Sequence, residues 1–155
     1  MEKLKAEIKQ RRPFAGLEAE AYLNLLRTAE VLAQDAERML KPFGLTGTQY
    51  NVLRILRGAG RAGLACGEVS GRMVTHDPDI TRLLDRLEAR GLVSRARDQR
   101  DRRVITSRIT PAGLEILKQL DGPVAAWHRR ALGHLGSTRL RALVDLLEAA
   151  RGTLG

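Results

Sequence analysis

The chain has 155 residues, 43% of them hydrophobic and 29% charged, enough for one domain-sized core, which excludes a wholly disordered or collagen-like chain. Aromatic residues are only 3%, so the core has to be aliphatic. Lys+Arg number 27 against 18 Asp+Glu, a net charge of +9, and so basic a chain is expected to seek a polyanion, nucleic acid first.

Only five of the 27 cations are lysine, which leaves 22 arginines. Arginine forks onto phosphate or guanine where lysine is a point charge, although a codon bias would give the same count. The lone cysteine, Cys66, excludes an internal disulfide or a cysteine metal cluster and suits a reducing, cytoplasmic setting. The opening MEKLKAEIKQRRP lacks the apolar block of a signal peptide, and no run approaches the ~18 apolar residues of a membrane span.

Leu17, Ala21, Leu25, Ala29, Leu32, Ala36 and Leu40 recur at three- and four-residue steps, which predicts a long amphipathic helix stopped by Pro42 and Gly44. Thr46 and Gln49 have the spacing of a capping box, and Leu45 and Tyr50 that of a hydrophobic staple, so a second helix is expected from near residue 47. It carries Val52, Leu53, Ile55 and Leu56 inward until GAGRAG ends it. Residues 65 to 73 read as a short third helix, poorly capped by Ala65 and weakened by Gly67 and Gly71.

A fourth helix is expected to be capped by Asp77, with Pro78 at its first position and Asp79 at the positive end of its dipole. Ile80, Leu83, Leu84 and Leu87 form its apolar stripe, Thr81, Arg82, Asp85 and Arg86 lie off it, and Gly91 ends it. Two strands follow, 92 to 95 and 103 to 109, with Ile105, Ser107 and Ile109 on one face and a long exposed connection. Thr110 and Pro111 open a fifth helix that Gly122 and Pro123 are expected to kink or break before Val124 and Trp127. Ser137 caps a last helix with Leu140, Leu143, Val144 and Leu147 inward.

From Arg82 to Arg108 there are nine arginines (82, 86, 90, 95, 97, 100, 102, 103, 108) against Asp85, Glu88, Asp98 and Asp101, so +5 of the +9 sits in 27 residues. That concentration is an electrostatic footprint. A short helix, a tight connection, a helix with a polar outer face and a basic hairpin together describe a winged helix-turn-helix. An α-helix fits the major groove, and an arginine-bearing loop fits the narrower, more negative minor groove. The fold class expected is mainly α with a small β-hairpin wing.

The run DITRLLDRLEARGLVSRARDQRDRRVITSRITPAGL resembles the heart of the MarR family of bacterial winged-helix regulators, with the D-x-R-D-x-R wing signature as Asp98, Arg100, Asp101 and Arg103. The resemblance implies a homodimeric DNA-binding repressor or activator, closed by its terminal helices and often released from DNA by a small molecule. It assigns residues 1–43 and 110–155 to dimerisation and 44–109 to the DNA-binding lobe. A dimer is also expected physically, because the long first helix and the LVDLLEAARGTL end need a partner for their second faces.

By the same resemblance Thr81 and Arg82 face bases in the major groove, with Asp79 and Arg86 on nearby turns. Asp79 is open between accepting from a cytosine amine and serving as helix-start charge. Arg100 is the minor-groove candidate; Asp98, Asp101 and Arg103 brace the hairpin through paired charges, and Arg95, Arg97 and Arg102 contact phosphates. Tyr22, Met39, Tyr50, Trp127 and His128 are candidates for a pocket that takes an aromatic or lipophilic effector, or are plain core. Cys66 suits a redox switch less well than a structural role. His76, His128 and His134 lack ligand spacing, so no metal or other cofactor is expected.

No nucleophile elbow, phosphate loop or paired-carboxylate pattern points to an enzyme. The competing readings are a winged helix that binds nucleic acid without sequence preference, as a compaction protein does, and a protein-interaction module whose wing docks an acidic partner.

Overall fold

A computed structural model describes residues 3–77 and 79–152. A short helix α1 (Lys3–Glu7) buries Leu4 and precedes the 24-residue α2 (Leu17–Leu40), as the apolar period predicts. Gly44, at φ 66, turns the chain after α2, a left-handed conformation that glycine adopts without penalty. Within the single chain α2 buries only Leu40, and Leu17, Tyr22, Leu25, Leu26 and Val31 stay exposed.

The predicted capping box starts α3 (Gly47–Ala59): the Gln49 amide N–H donates to Thr46 Oγ1 at 3.2 Å, and Gln49 Oε1 accepts from the Thr46 N–H at 3.1 Å. Leu45 is buried and Tyr50 packs against the same core, as a staple requires. A strand of two residues, β1 (Leu64–Ala65), comes next and was not expected, because so short a strand has no periodicity to read. Gly63 enables it: at φ 68, a Cβ there would lie 2.5 Å from the Ser107 carbonyl oxygen. The short helix α4 (Cys66–Arg72) forms despite its poor cap, because Glu68 Oε2 reaches back to accept from the Ala65 N–H at 2.9 Å.

Helix α5 (Ile80–Ala89) starts later than Asp77 would place it. Asp79 is the cap, accepting from the Arg82 N–H at 3.0 Å, while Asp77 accepts from the Asp79 N–H at 2.8 Å in the preceding turn. Pro78, expected at the first helical position, lies outside the described residues. Strands β2 (Val93–Arg97) and β3 (Ile105–Ile109) pair antiparallel, Val93 opposite Ile109 and Arg95 opposite Ser107, and β1 adds to the far side of β3. On β3, Ser107 is buried but Ile105 is 43% exposed, because the hairpin runs out past the core toward its tip.

Helix α6 (Pro111–Leu132) is capped by Thr110 and contains Pro123 without a break, contrary to one of the two outcomes expected there. A proline in a helix interior costs ~3 kcal/mol. Four apolar side chains buried around it, Leu117, Leu120, Val124 and Trp127, offset that at ~1.5–3 kcal/mol each. Helix α7 (Gly136–Gly152) starts one residue before Ser137, and none of its residues is buried in the single chain. Leu140, Leu143 and Leu147 are half-buried and Val144 is exposed, so the inward face expected for this helix is only partly covered within the chain. The core gathers Leu53 and Leu56 of α3, Val69 of α4, Leu84 and Leu87 of α5, Val93 of β2 and Leu117 of α6.

Candidate nucleic-acid interface

The 3.6-residue period puts Ile80, Leu83, Leu84 and Leu87 of α5 into the core, so Thr81, Arg82, Asp85 and Arg86 have to emerge on the opposite side. All four are exposed. Thr81 Oγ1 lies 3.8 Å from Cys66 Sγ, which sets the start of α5 against that of α4. The Asp79 carboxylate is engaged twice, by the Arg82 N–H and by Arg82 Nε at 3.3 Å, the geometry of a helix-start charge. The Arg86 side chain has no hydrogen-bond or ion-pair partner among the described residues.

The hairpin tip is held from within. Asp98 Oδ1 accepts the backbone N–H groups of Arg100 at 2.7 Å and Asp101 at 3.1 Å. Asp101 takes the Arg103 N–H at 3.0 Å and its guanidinium at 3.2 and 3.3 Å, and that cation holds the Asp101 carboxyl below the usual aspartate range. Paired charge thus braces through Asp101 and Arg103, whereas Asp98 braces through backbone amides. Arg97 Nη1 donates to the Arg102 carbonyl at 2.9 Å across the same turn. The side chains of Arg100 and Arg102 are exposed and have no partner among the described residues.

Arg95 is placed differently from the phosphate contact expected of it. Strand alternation turns it to the side of Val93, toward the core, where it reaches the flank of α5. Its Nη2 donates both to Asp85 Oδ1 and, at 3.0 Å, to Glu88 Oε1. This cation holds the Glu88 carboxyl below its ordinary range, and the two acids in turn raise the guanidinium. Sequence reasoning missed this three-residue link, although the shared parity of Val93 and Arg95 carries the signal. It also missed Arg108, whose Nε donates to the Arg61 carbonyl at 2.8 Å and ties β3 to the turn before β1.

The candidate pocket residues do not gather within the single chain. Tyr22 and Met39 are 17 residues apart on one helix, about 25 Å at 1.5 Å per residue. Met39 and Tyr50 pack on the core, while Trp127 donates its indole N–H to Asp35 at 2.8 Å and has the exposed His128 ring 5.1 Å away. Among the described residues no helix is long and apolar enough to cross a membrane, and no group of three or more His, Cys, Asp or Glu is placed to hold a metal.

Residues 45–105, from the start of α3 into the wing, match the model of the MarR family. A solved MarR transcription factor from Planctomyces limnophilus is 43% identical, with 88% of this chain and 99% of that chain covered at a TM-score of 0.69. The transcriptional regulator TtmR of Methylorubrum extorquens is 31% identical over 140 residues, 89% of this chain and 69% of that protein. The transcriptional repressor IacR of Pseudomonas putida is 29% identical over 115 residues, 74% of this chain and 68% of that protein. The chain spans about two thirds of the length of the curated relatives it matches. With a basic three-stranded wing beside an amphipathic second helix, and a relative of 43% identity aligned over nearly its whole length, this chain belongs to the MarR family of winged-helix transcriptional regulators.

Proposed function

We propose that the protein is a sequence-specific DNA-binding regulator that sits as a homodimer on a pseudo-palindromic operator, acting as a repressor that a small aromatic or lipophilic molecule releases. One observation carries the reading: a polar, exposed face of α5 stands over a fully buried stripe, beside an internally braced hairpin that leaves Arg100 and Arg102 unpaired. In this reading residues 44–109 form the DNA-binding lobe, and 1–43 with 110–155 form the dimer. Thr81 and Arg82 read base edges in the major groove, with Asp79 and Arg86 on the adjoining turns. Arg100 enters the minor groove, and Arg97 and Arg102 meet phosphates.

The homodimer is supported by the exposed Leu17, Leu25, Leu26, Val144 and Leu146 on α2 and α7, an apolar surface that a second copy covers. A two-fold axis then sets two α5 helices about one turn of duplex, ~34 Å, apart. The repressor role is supported by similarity to IacR, and the effector rests on kinship with the family.

The test is selection of a preferred duplex from a random pool, followed by titration of that duplex and a scrambled one across salt. The selected duplex should bind at least ~10³-fold more tightly, with log K falling linearly against log salt. Equal affinity at every salt concentration would replace this reading with that of a compaction protein. Phenolic and lipophilic compounds that raise the melting temperature should also release DNA; binding without release removes the effector from the mechanism.

A further inference from the structure

We infer that Arg95 is a positioning residue for DNA recognition: by bridging Asp85 and Glu88 with one nitrogen, it pins the wing to the recognition helix and sets the angle between the two parts that meet the duplex. The inference rests on the function proposed above. A single guanidinium nitrogen joins strand β2 to two carboxylates three residues apart on α5. The Arg95 side chain is 19% exposed, against 55% for Asp85 and 41% for Glu88, so the cation lies beneath the acids instead of facing outward to a phosphate. Below it, Leu87 and Val93 are closed into the core, so the link sits where helix and strand diverge toward solvent. Beyond that point the wing extends with Ile105 and Val104 exposed, and the polar link joins it directly to α5.

A positioning role and a direct phosphate contact make opposite statements about the acids. A phosphate contact needs only the cation; removing Asp85 and Glu88 would then strengthen all DNA binding and leave the preference for operator unchanged. A pin needs both ends.

The experiment measures affinity of the full chain for the selected duplex and a scrambled one, for wild type, Arg95→Met, Arg95→Lys, Asp85→Asn/Glu88→Gln, and the triple variant with Met at 95. Arg95→Met should lower the operator-to-scrambled ratio about tenfold, and the acid-free double variant should lower it by a similar factor. Adding Arg95→Met to the acid-free background should change it less than twofold. Arg95→Lys, whose ammonium also has donors for both acids, should keep the ratio near wild type and guards against a Met variant that does not fold. A tenfold loss that recurs in the acid-free background, or a ratio unchanged in the double variant, overturns the inference. A wild-type protein that does not discriminate the two duplexes overturns the proposed function and this inference with it, whereas discrimination that survives every substitution overturns this inference alone.

Discussion

Gly113 sits where the first turn of α6 crosses the base of the wing, and replacing it by alanine should destabilise the protein. The usual expectation is the reverse, since alanine in a helix is favoured over glycine by ~0.5–1 kcal/mol. Here a Cβ would stand 2.4 Å from the Leu92 carbonyl oxygen and 2.7 Å from Ile109 Cγ1, and the first of these is backbone that cannot swing aside. The same carbonyl accepts the Thr110 N–H at 3.1 Å, so moving it disturbs the junction of wing and helix. Overpacking of this kind costs ~1–3 kcal/mol or more, which exceeds the helix gain. The net loss of ~1–2 kcal/mol corresponds to a melting midpoint ~2–8 °C lower in a domain of this size. Gly58, exposed in α3 with nothing within 4 Å of its Cβ position, is the control, and Gly58→Ala should raise the midpoint. Calorimetry of both variants at one protein concentration decides the matter; a Gly113→Ala protein as stable as its parent would refute the close-approach reasoning.

Arg100→Ala should leave the fold intact and lower the magnitude of the salt slope by ~1 per wing in contact, measured by titrating the selected duplex; an unchanged slope removes that side chain from the interface. Leu87→Ala, at a position with no solvent exposure, should cost ~2–5 kcal/mol in urea unfolding by leaving a cavity under the recognition helix. Thr46→Ala should cost ~1 kcal/mol through loss of the cap on α3. The Asp121 carboxyl is held below the ordinary aspartate value of 3.8, chiefly by its hydrogen bonds to Arg57. A lowered folded-state value means the pair stabilises the protein above that pH and ceases to as pH falls through the folded-state value. Arg57→Met should therefore lower the urea midpoint at neutral pH and converge with wild type as the pH is brought below the lowered folded-state value; a constant gap between the two would deny the linkage.

The apolar periods of α2, α3, α5 and α6 were readable because each is a local pattern repeated over several turns, and the Thr46 cap because its two partners lie three residues apart. What escaped reading depends on residues far apart in the chain. Strand β1 exists because Gly63 lets the backbone approach Ser107, a contact spanning more than forty residues. The start of α5 moved from Asp77 to Asp79 because two acidic candidates two residues apart compete, and only the turn geometry selects one. Pro123 lies inside a continuous helix, so of the kink or break expected there the break does not occur, because tertiary burial outweighs local propensity. In the site, charge placement was legible as a cluster, but which arginines bond inward was not, since composition cannot tell an exposed guanidinium from one shared by Asp85 and Glu88.

A closing helix of 17 residues, none of them enclosed, has little to hold it while its chain is alone. In the proposed pair, shaping the final helix of each molecule and finding a twin are then one event, so abundance becomes a control variable. When copies are scarce the operator faces lone, half-finished readers, and the melting temperature should climb as the sample is concentrated.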